Sequence, residues 1–209
     1  MRNTPITRFT GRAAPLMIDN IDTDQIIPSR EIKSVGRDGL SDGLFAAWRY
    51  NDEQARHPNP DFILNKPGFA QAIVLLTGRN FGCGSSREHA VWTLKEYGIR
   101  AVVAGSFGEI FFDNCVRNGI LPIIIDIKTV RKLAEHAGRD ADNEITIDLE
   151  QQHLAMGDTG SGFAIGAYAK RLLLEGLDPI DLTLKDQSKI DAFEARDRRD
   201  RPWIYDGPV

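Results

Sequence analysis

Ala72-Ile73-Val74-Leu75-Leu76-Thr77-Gly78-Arg79-Asn80-Phe81-Gly82-Cys83-Gly84-Ser85-Ser86-Arg87-Glu88-His89-Ala90-Val91-Trp92-Thr93-Leu94-Lys95-Glu96-Tyr97 is the stretch that decides the fold. It opens on a strand-like apolar run at 72–76 and closes on a helix-like run at 90–97. Between them stand three glycines in seven residues, Gly78, Gly82 and Gly84, which open backbone conformations closed to other residues and let a ligand approach. Ser85 and Glu88 have the Ser-x-x-Glu spacing of a capping box, which predicts a helix over 86–97. A helix start favours an anion through its unpaired N–H groups and partial positive charge. Arg87 adds a fork-shaped donor suited to a carboxylate or phosphate. The local reading is a site for an anionic substrate, with a serine placed to take part in chemistry.

The same strand-then-helix unit repeats downstream. Residues 100–104 read as a strand, 107–117 as a helix, 120–125 as a strand and 130–137 as a helix. This alternation, with short connections, predicts an α/β layer with parallel pairing. Unbroken Val/Ile/Leu runs predict strands buried on both faces. Pro122 places the 120–125 strand at an edge or at a strand start. Residues 144–149 alternate apolar and polar, and 153–156 do so more weakly, which predicts a half-exposed antiparallel pair. Gly157, Gly160 and Gly162 read as turns. Residues 164–175 read as a helix stopped by Gly176. The charge-rich stretch 192–200 reads as a solvated helix, and Trp203 and Tyr205 form an aromatic tail.

Upstream the pattern is weaker. Residues 6–14 read as turns around a short apolar signal, and Asp22, Thr23 and Asp24 as turn or cap types. Residues 29–43 read as a mobile basic loop, 44–50 as a short helix and 51–68 as a long surface connection.

At 209 residues, 42% hydrophobic and 27% charged, the chain reads as one globular domain with a tail. A formal net charge of −4 argues against a nucleic-acid partner. No apolar run approaches the roughly 20 residues needed to span a bilayer, and the N-terminus lacks a signal-peptide stretch, so a cytoplasmic location is expected. The two cysteines, Cys83 and Cys115, form no Cys-x-x-Cys pair, so no metal site is expected on this chain.

Several motifs are excluded around Ser85. The window Cys83-Gly84-Ser85-Ser86-Arg87 is not a Gly-x-Ser-x-Gly nucleophile elbow. The loop lacks the Gly-Lys-Ser/Thr ending of a P-loop and the Gly-x-Gly-x-x-Gly of a dinucleotide fold. Local chemistry alone leaves Ser85 open between a simple N-cap and a catalytic group. Cys83 reads as a small residue between glycines, since His89 lies too far along the helix to pair with it.

Four segments, in order, carry a family resemblance. Gly78–Ala90 resembles the signature of the swivel domain of the aconitase superfamily. Asn20-Ile21-Asp22-Thr23-Asp24-Gln25-Ile26-Ile27-Pro28 is similar to that family's first motif, and Ser106–Pro122 to its third. Leu174–Leu184 resembles a C-terminal block of bacterial 3-isopropylmalate dehydratase small subunits. The resemblance implies a swivelling β/β/α domain over residues 1–180, with a partly parallel central sheet flanked by helices. Residues 181–209 would be a C-terminal helical extension.

The activity implied is interconversion of 2- and 3-isopropylmalate, by loss and return of water, in leucine biosynthesis. A related hydro-lyase on homoaconitate, 2-methylmalate or another malate-like acid is the near alternative, and a non-catalytic anion-sensing module the distant one. The implied partner is a large subunit that holds a 4Fe–4S cluster, in a heterodimer or heterotetramer. By the same resemblance Ser85 matches the base, and Ser86 and Arg87 bind a substrate carboxylate. Asp22, Thr23, Asp24, Asn80, Gly82, Gly84, Glu88 and His89 shape the site. The loop after Pro28 is where members differ. It begins Ser29-Arg30, where the commoner version has a lysine and an aromatic residue. Ile32 and Val35 are the candidate contacts for an apolar side group, and Arg30 and Arg37 are candidate carboxylate ligands.

Overall fold

The computed structural model describes residues 3–32, 36–52, 54–140 and 142–205. Val35 and Lys33, part of the loop singled out above, lie outside the described residues. In chain order the elements begin with β1 (Arg8–Leu16), the single-turn helices α1 (Thr23–Ile26) and α2 (Ala46–Arg49), and β2 (Val74–Thr77). Then come α3 (His89–Tyr97), β3 (Ala101–Ala104), α4 (Glu109–Arg117), β4 (Leu121–Ile124) and α5 (Ile127–Arg139). β5 (Glu144–Asp148), β6 (His153–Met156) and β7 (Thr159–Gly162) follow, then α6 (Ala167–Glu175), α7 (Pro179–Leu184) and α8 (Gln187–Asp200).

One seven-stranded sheet runs in the order β4-β3-β2-β1-β5-β6-β7. The first half, β1 to β4, is parallel, and β1-β5-β6-β7 is antiparallel. The expected α/β sheet is therefore present. The parallel strands are buried on both faces, with successive residues dividing between two cores. Val74, Leu76, Ala101 and Val103 join α5 and α6 residues such as Leu133 and Leu172 on one face. Leu75, Val102 and Ala104 join Val91 and Leu94 of α3, Phe111 of α4, and Phe45 on the other. β5 buries only Ile145 and Ile147 and turns Glu144, Thr146 and Asp148 outward, as its alternation predicted. Pro122 lies on β4, an edge strand, where a missing N–H is tolerated.

Four expectations are corrected. The segment 6–14 is not a turn region but most of β1, the strand that joins the two halves of the sheet. Its residues 8–12 pair with β5 and its residues 13–16 with β2, so Pro15 lies past the end of the β5 ladder. Gly160 and Gly162 are in β7 rather than in turns. The connection 51–68 is not wholly superficial, since Phe62 and Leu64 enter the second core. The basic loop is held where the chain returns: the Glu96 carboxylate accepts from the backbone N–H groups of Gly39, Leu40 and Ser41 at 2.6, 2.5 and 2.7 Å. Gly176 ends α6 in the left-handed region, as expected. α8 is almost entirely exposed, with Asp197 drawn in by Arg201 and by the Tyr205 hydroxyl at 2.7 Å.

Candidate active site at the ends of the parallel strands

The loops that leave β1, β2 and β3 interlock at the C-terminal edge of the parallel strands, the edge at which open α/β sheets bind ligands. Asn20 N–H donates to the Arg79 carbonyl at 2.8 Å, and Gly82 N–H to the Ile21 carbonyl at 2.7 Å. Asp22 and Cys83 form a parallel bridge, as do Phe81 and Phe107. Asn80, at φ +57°, donates from its backbone to the Ser106 hydroxyl and from its side chain to Asn20 Oδ1, each at 2.8 Å. Phe81 is fully buried and packs edge-on against Phe107 and Phe111.

Two glycines are required by this packing. Gly82 has φ +72°, and a Cβ there would fall 2.1 Å from the Phe111 ring. Gly84 has φ +90°, with its nearest obstacle, the Asp22 Cβ, at 3.4 Å, so its need is conformational rather than steric.

The helix expected from Ser86 begins three residues later, at His89, with Glu88 as its N-cap and no side-chain cap bond. Ser85 is thus not an N-cap. The Thr23 hydroxyl donates to the Ser85 carbonyl at 3.1 Å, and Thr23 N–H to the Cys83 carbonyl at 3.0 Å. These contacts, with Gly84 at positive φ, hold the chain out of helical geometry. Glu88 instead accepts from Asn118 Nδ2 at 3.5 Å. The His89 ring lies 4.7 Å from that of Trp92 and takes no part in the loop. The capping box lies in the earlier motif: Asp22 accepts from Gln25 N–H at 2.7 Å, and Gln25 Oε1 accepts from Asp22 N–H at 2.9 Å.

Ser85 and Ser86 are exposed, and neither hydroxyl makes a hydrogen bond among the described residues. Ser85 lines a shallow cleft of about 290 Å³ with Cys83, Gly84, Glu109 and the exposed Ile110. Arg87 is firmly placed. Its Nη2 contacts Asp24 Oδ2 at 2.5 Å, and its Nη1 donates to Ser29 Oγ at 2.7 Å. Ser29 Oγ donates in turn to Asp24 Oδ1 at 3.0 Å. The hydrogen bond from Arg87 holds the Asp24 carboxyl below its ordinary value, opposed by partial desolvation and reinforced by Ser29. Ser29, Asn20 and Ser106 were not found by sequence reading. Their partners lie 58, 60 and 26 residues away, and no local spacing signals them.

The other loop candidates make contacts of their own. Arg30 lies beside Glu31, 3.8 Å away. Arg37 stacks its guanidinium 4.9 Å from the Trp92 ring. It lines a different and larger cleft of about 600 Å³, together with Asn3, Glu88, Asp113, Arg117 and Tyr168. That cleft contains none of Ser85, Ser86 and Arg87. Ile32 is half-buried against the second core.

Cys115 is fully buried, which pushes its thiol well above the ordinary range, and Cys83 is half-exposed. Among the described residues no three His, Cys, Asp or Glu side chains are grouped to hold a metal ion. No described helix is long and apolar enough to cross a membrane.

With this geometry in place, the comparisons with known proteins agree among themselves. A family model of the aconitase C-terminal domain matches residues 3–128, and one of the C-terminal domain of 3-isopropylmalate dehydratase small subunits matches residues 180–206. A 3-isopropylmalate dehydratase small subunit of Cupriavidus necator is 55% identical over 96% of this chain and 98% of its own length. The protein of that name from Brucella canis is 49% identical over 94% and 98%. A crystal structure described as 3-isopropylmalate dehydratase from Methanocaldococcus jannaschii superposes with a TM-score of 0.62 at 26% identity, covering 90% of this chain and 99% of that one. The chain belongs to the family of 3-isopropylmalate dehydratase small subunits, built on the aconitase C-terminal domain.

Proposed function

We propose that this chain forms half of an isopropylmalate-isomerising hydro-lyase in leucine biosynthesis, with Ser85 as its proton-transfer group and Arg87 as its carboxylate receptor. End-to-end similarity to small subunits, with Ser85 exposed at the ligand-binding edge of the sheet, carries this reading. The large subunit is the partner, in a single or doubled heterodimer, and the cytoplasm is the expected compartment.

In this reading the iron–sulfur cluster belongs to the large subunit, where it would supply Lewis-acid chemistry. Ser85 Oγ takes the proton from the carbon next to a substrate carboxylate and returns a proton on the way back. To act as base it must be an alkoxide, which needs strong electrostatic support. In the chain alone Ser85 is exposed and the nearby guanidinium is occupied by Asp24 and Ser29. The support therefore comes from a closed, water-poor pocket completed by the large subunit. Arg87 retains donors for a substrate carboxylate, since the guanidinium has five N–H groups and the Asp24 and Ser29 contacts occupy one on each Nη. Ser86 adds a hydroxyl beside it. Asp22, Thr23, Asn80, Gly82 and Gly84 fix the loop that presents these groups, while Ile32, Val35, Arg30 and Arg37 belong to the segment proposed to read the variable side group.

Reconstitution with a cognate large subunit tests the reading. Ser85→Ala should lower kcat by about 10²–10⁴-fold, the range for loss of a general base, with binding of the large subunit retained. Unchanged turnover would remove Ser85 from the mechanism. Turnover of another malate-like acid, with none of either isopropylmalate, would overturn the substrate assignment.

A further inference from the structure

We infer that Asp24 and Ser29 are positioning residues for Arg87: they lock its guanidinium into a receptor for the substrate carboxylate before substrate arrives. The inference rests on the role proposed above for Arg87. It explains three features that folding alone does not require.

The first is the closed triangle. Arg87 contacts both Asp24 and Ser29, and Ser29 also donates to Asp24, so each member fixes the other two. A free arginine on an exposed loop samples many rotamers, and ordering it on binding costs affinity. A guanidinium held at two nitrogens has already met that cost.

The second is that Asp24 is not needed to cap its helix. The N-terminus of α1 is capped by Asp22 and Gln25, which satisfy each other's backbone N–H groups. Asp24 is one residue further into the helix and directs its carboxylate away from the capping box, to a residue 63 positions later. Its side chain is largely exposed, so the pair adds little to stability and its value lies in geometry.

The third is the place of Ser29. It opens the turn Ser29–Glu31, which begins the loop that follows Pro28. Through Ser29 the start of that loop and the carboxylate receptor share one hydrogen-bonded unit. A shift of the loop would therefore turn the guanidinium.

The test uses the reconstituted two-chain enzyme and a double-mutant cycle. Asp24→Asn should raise KM for isopropylmalate by about tenfold or more while kcat stays within about threefold, because the charge-assisted hold on Arg87 is lost. Ser29→Ala should act in the same direction and more weakly. In an Arg87→Ala background, Asp24→Asn should change kcat/KM by less than about twofold, since Asp24 acts only through Arg87. An equal effect of Asp24→Asn with and without Arg87 would overturn the inference. So would an unchanged KM in Asp24→Asn when Arg87→Ala raises it. If Arg87→Ala itself leaves KM unchanged, the proposed role of Arg87 falls, and the inference with it. Circular dichroism of each variant, and its co-elution with the large subunit, separate these outcomes from misfolding. Asp24→Glu, which keeps the charge, should recover part of the lost KM.

Discussion

Replacing Gly82 with alanine should markedly destabilise this protein. Two costs combine there. The backbone at φ +72° is unfavourable for a residue with a Cβ by about 1–2 kcal/mol. The new Cβ would also stand 2.1, 2.4 and 2.5 Å from three atoms of the Phe111 ring, where carbon atoms prefer about 3.5–4.0 Å. Phe111 is buried and has little room to retreat, packed edge-on against Phe81 and stacked on Phe107. Overpacking of this kind costs about 1–3 kcal/mol, so the total is about 2–5 kcal/mol. Gly84→Ala is the internal control. Its φ of +90° carries the same backbone cost, but the nearest atom is at 3.4 Å. Urea unfolding of both variants, followed by tryptophan fluorescence, should show Gly84→Ala less stable by about 1–2 kcal/mol and Gly82→Ala distinctly worse. Equal losses would refute the steric half of the reasoning, and a loss under about 1 kcal/mol for Gly82→Ala would refute both halves.

Two further outcomes follow from the titratable groups. Asp24 should titrate below its ordinary value of 3.8, because Arg87 donates to its carboxylate, so its contribution to stability is complete above that value and disappears as pH falls through the lower folded-state midpoint. NMR titration of the carboxyl carbon should show this, with Arg87→Ala moving the midpoint back up; an unmoved midpoint would contradict the pairing. A thiol reagent should modify the folded chain once, at the half-exposed Cys83, and reach the buried Cys115 only on unfolding. Labelling of Cys115 in the native protein would contradict the packing of α4 on the sheet.

Legibility in the sequence followed the range of the forces involved. The units β2-α3-β3 and β3-α4-β4 were readable because each strand is a continuous apolar run and each helix has one apolar face, signals complete within a dozen residues. The antiparallel pair β5-β6 was readable from its alternation for the same reason. β1 was not. It changes partner halfway, its outward residues include Arg8, Thr10 and Arg12, and it contains Pro15. Its identity as a strand comes from neighbours more than sixty residues away.

The sequence by itself determined the fold class and the loop that carries Ser85, since apolar periodicity and glycine positions are local signals, while the family came from its resemblance in four motifs, in order along the chain. The tertiary structure decided what that loop is. A Ser-x-x-Glu spacing fits a capping box, but docking of residues 83–85 on Asp22 and Thr23 keeps Ser85 out of the helix and leaves its hydroxyl exposed. The partners of Arg87 were likewise invisible in one dimension. Hydrogen bonds are short-range and directional, so only the fold that brings α1 and the turn after Pro28 against the Ser85–Arg87 segment could select Asp24 and Ser29.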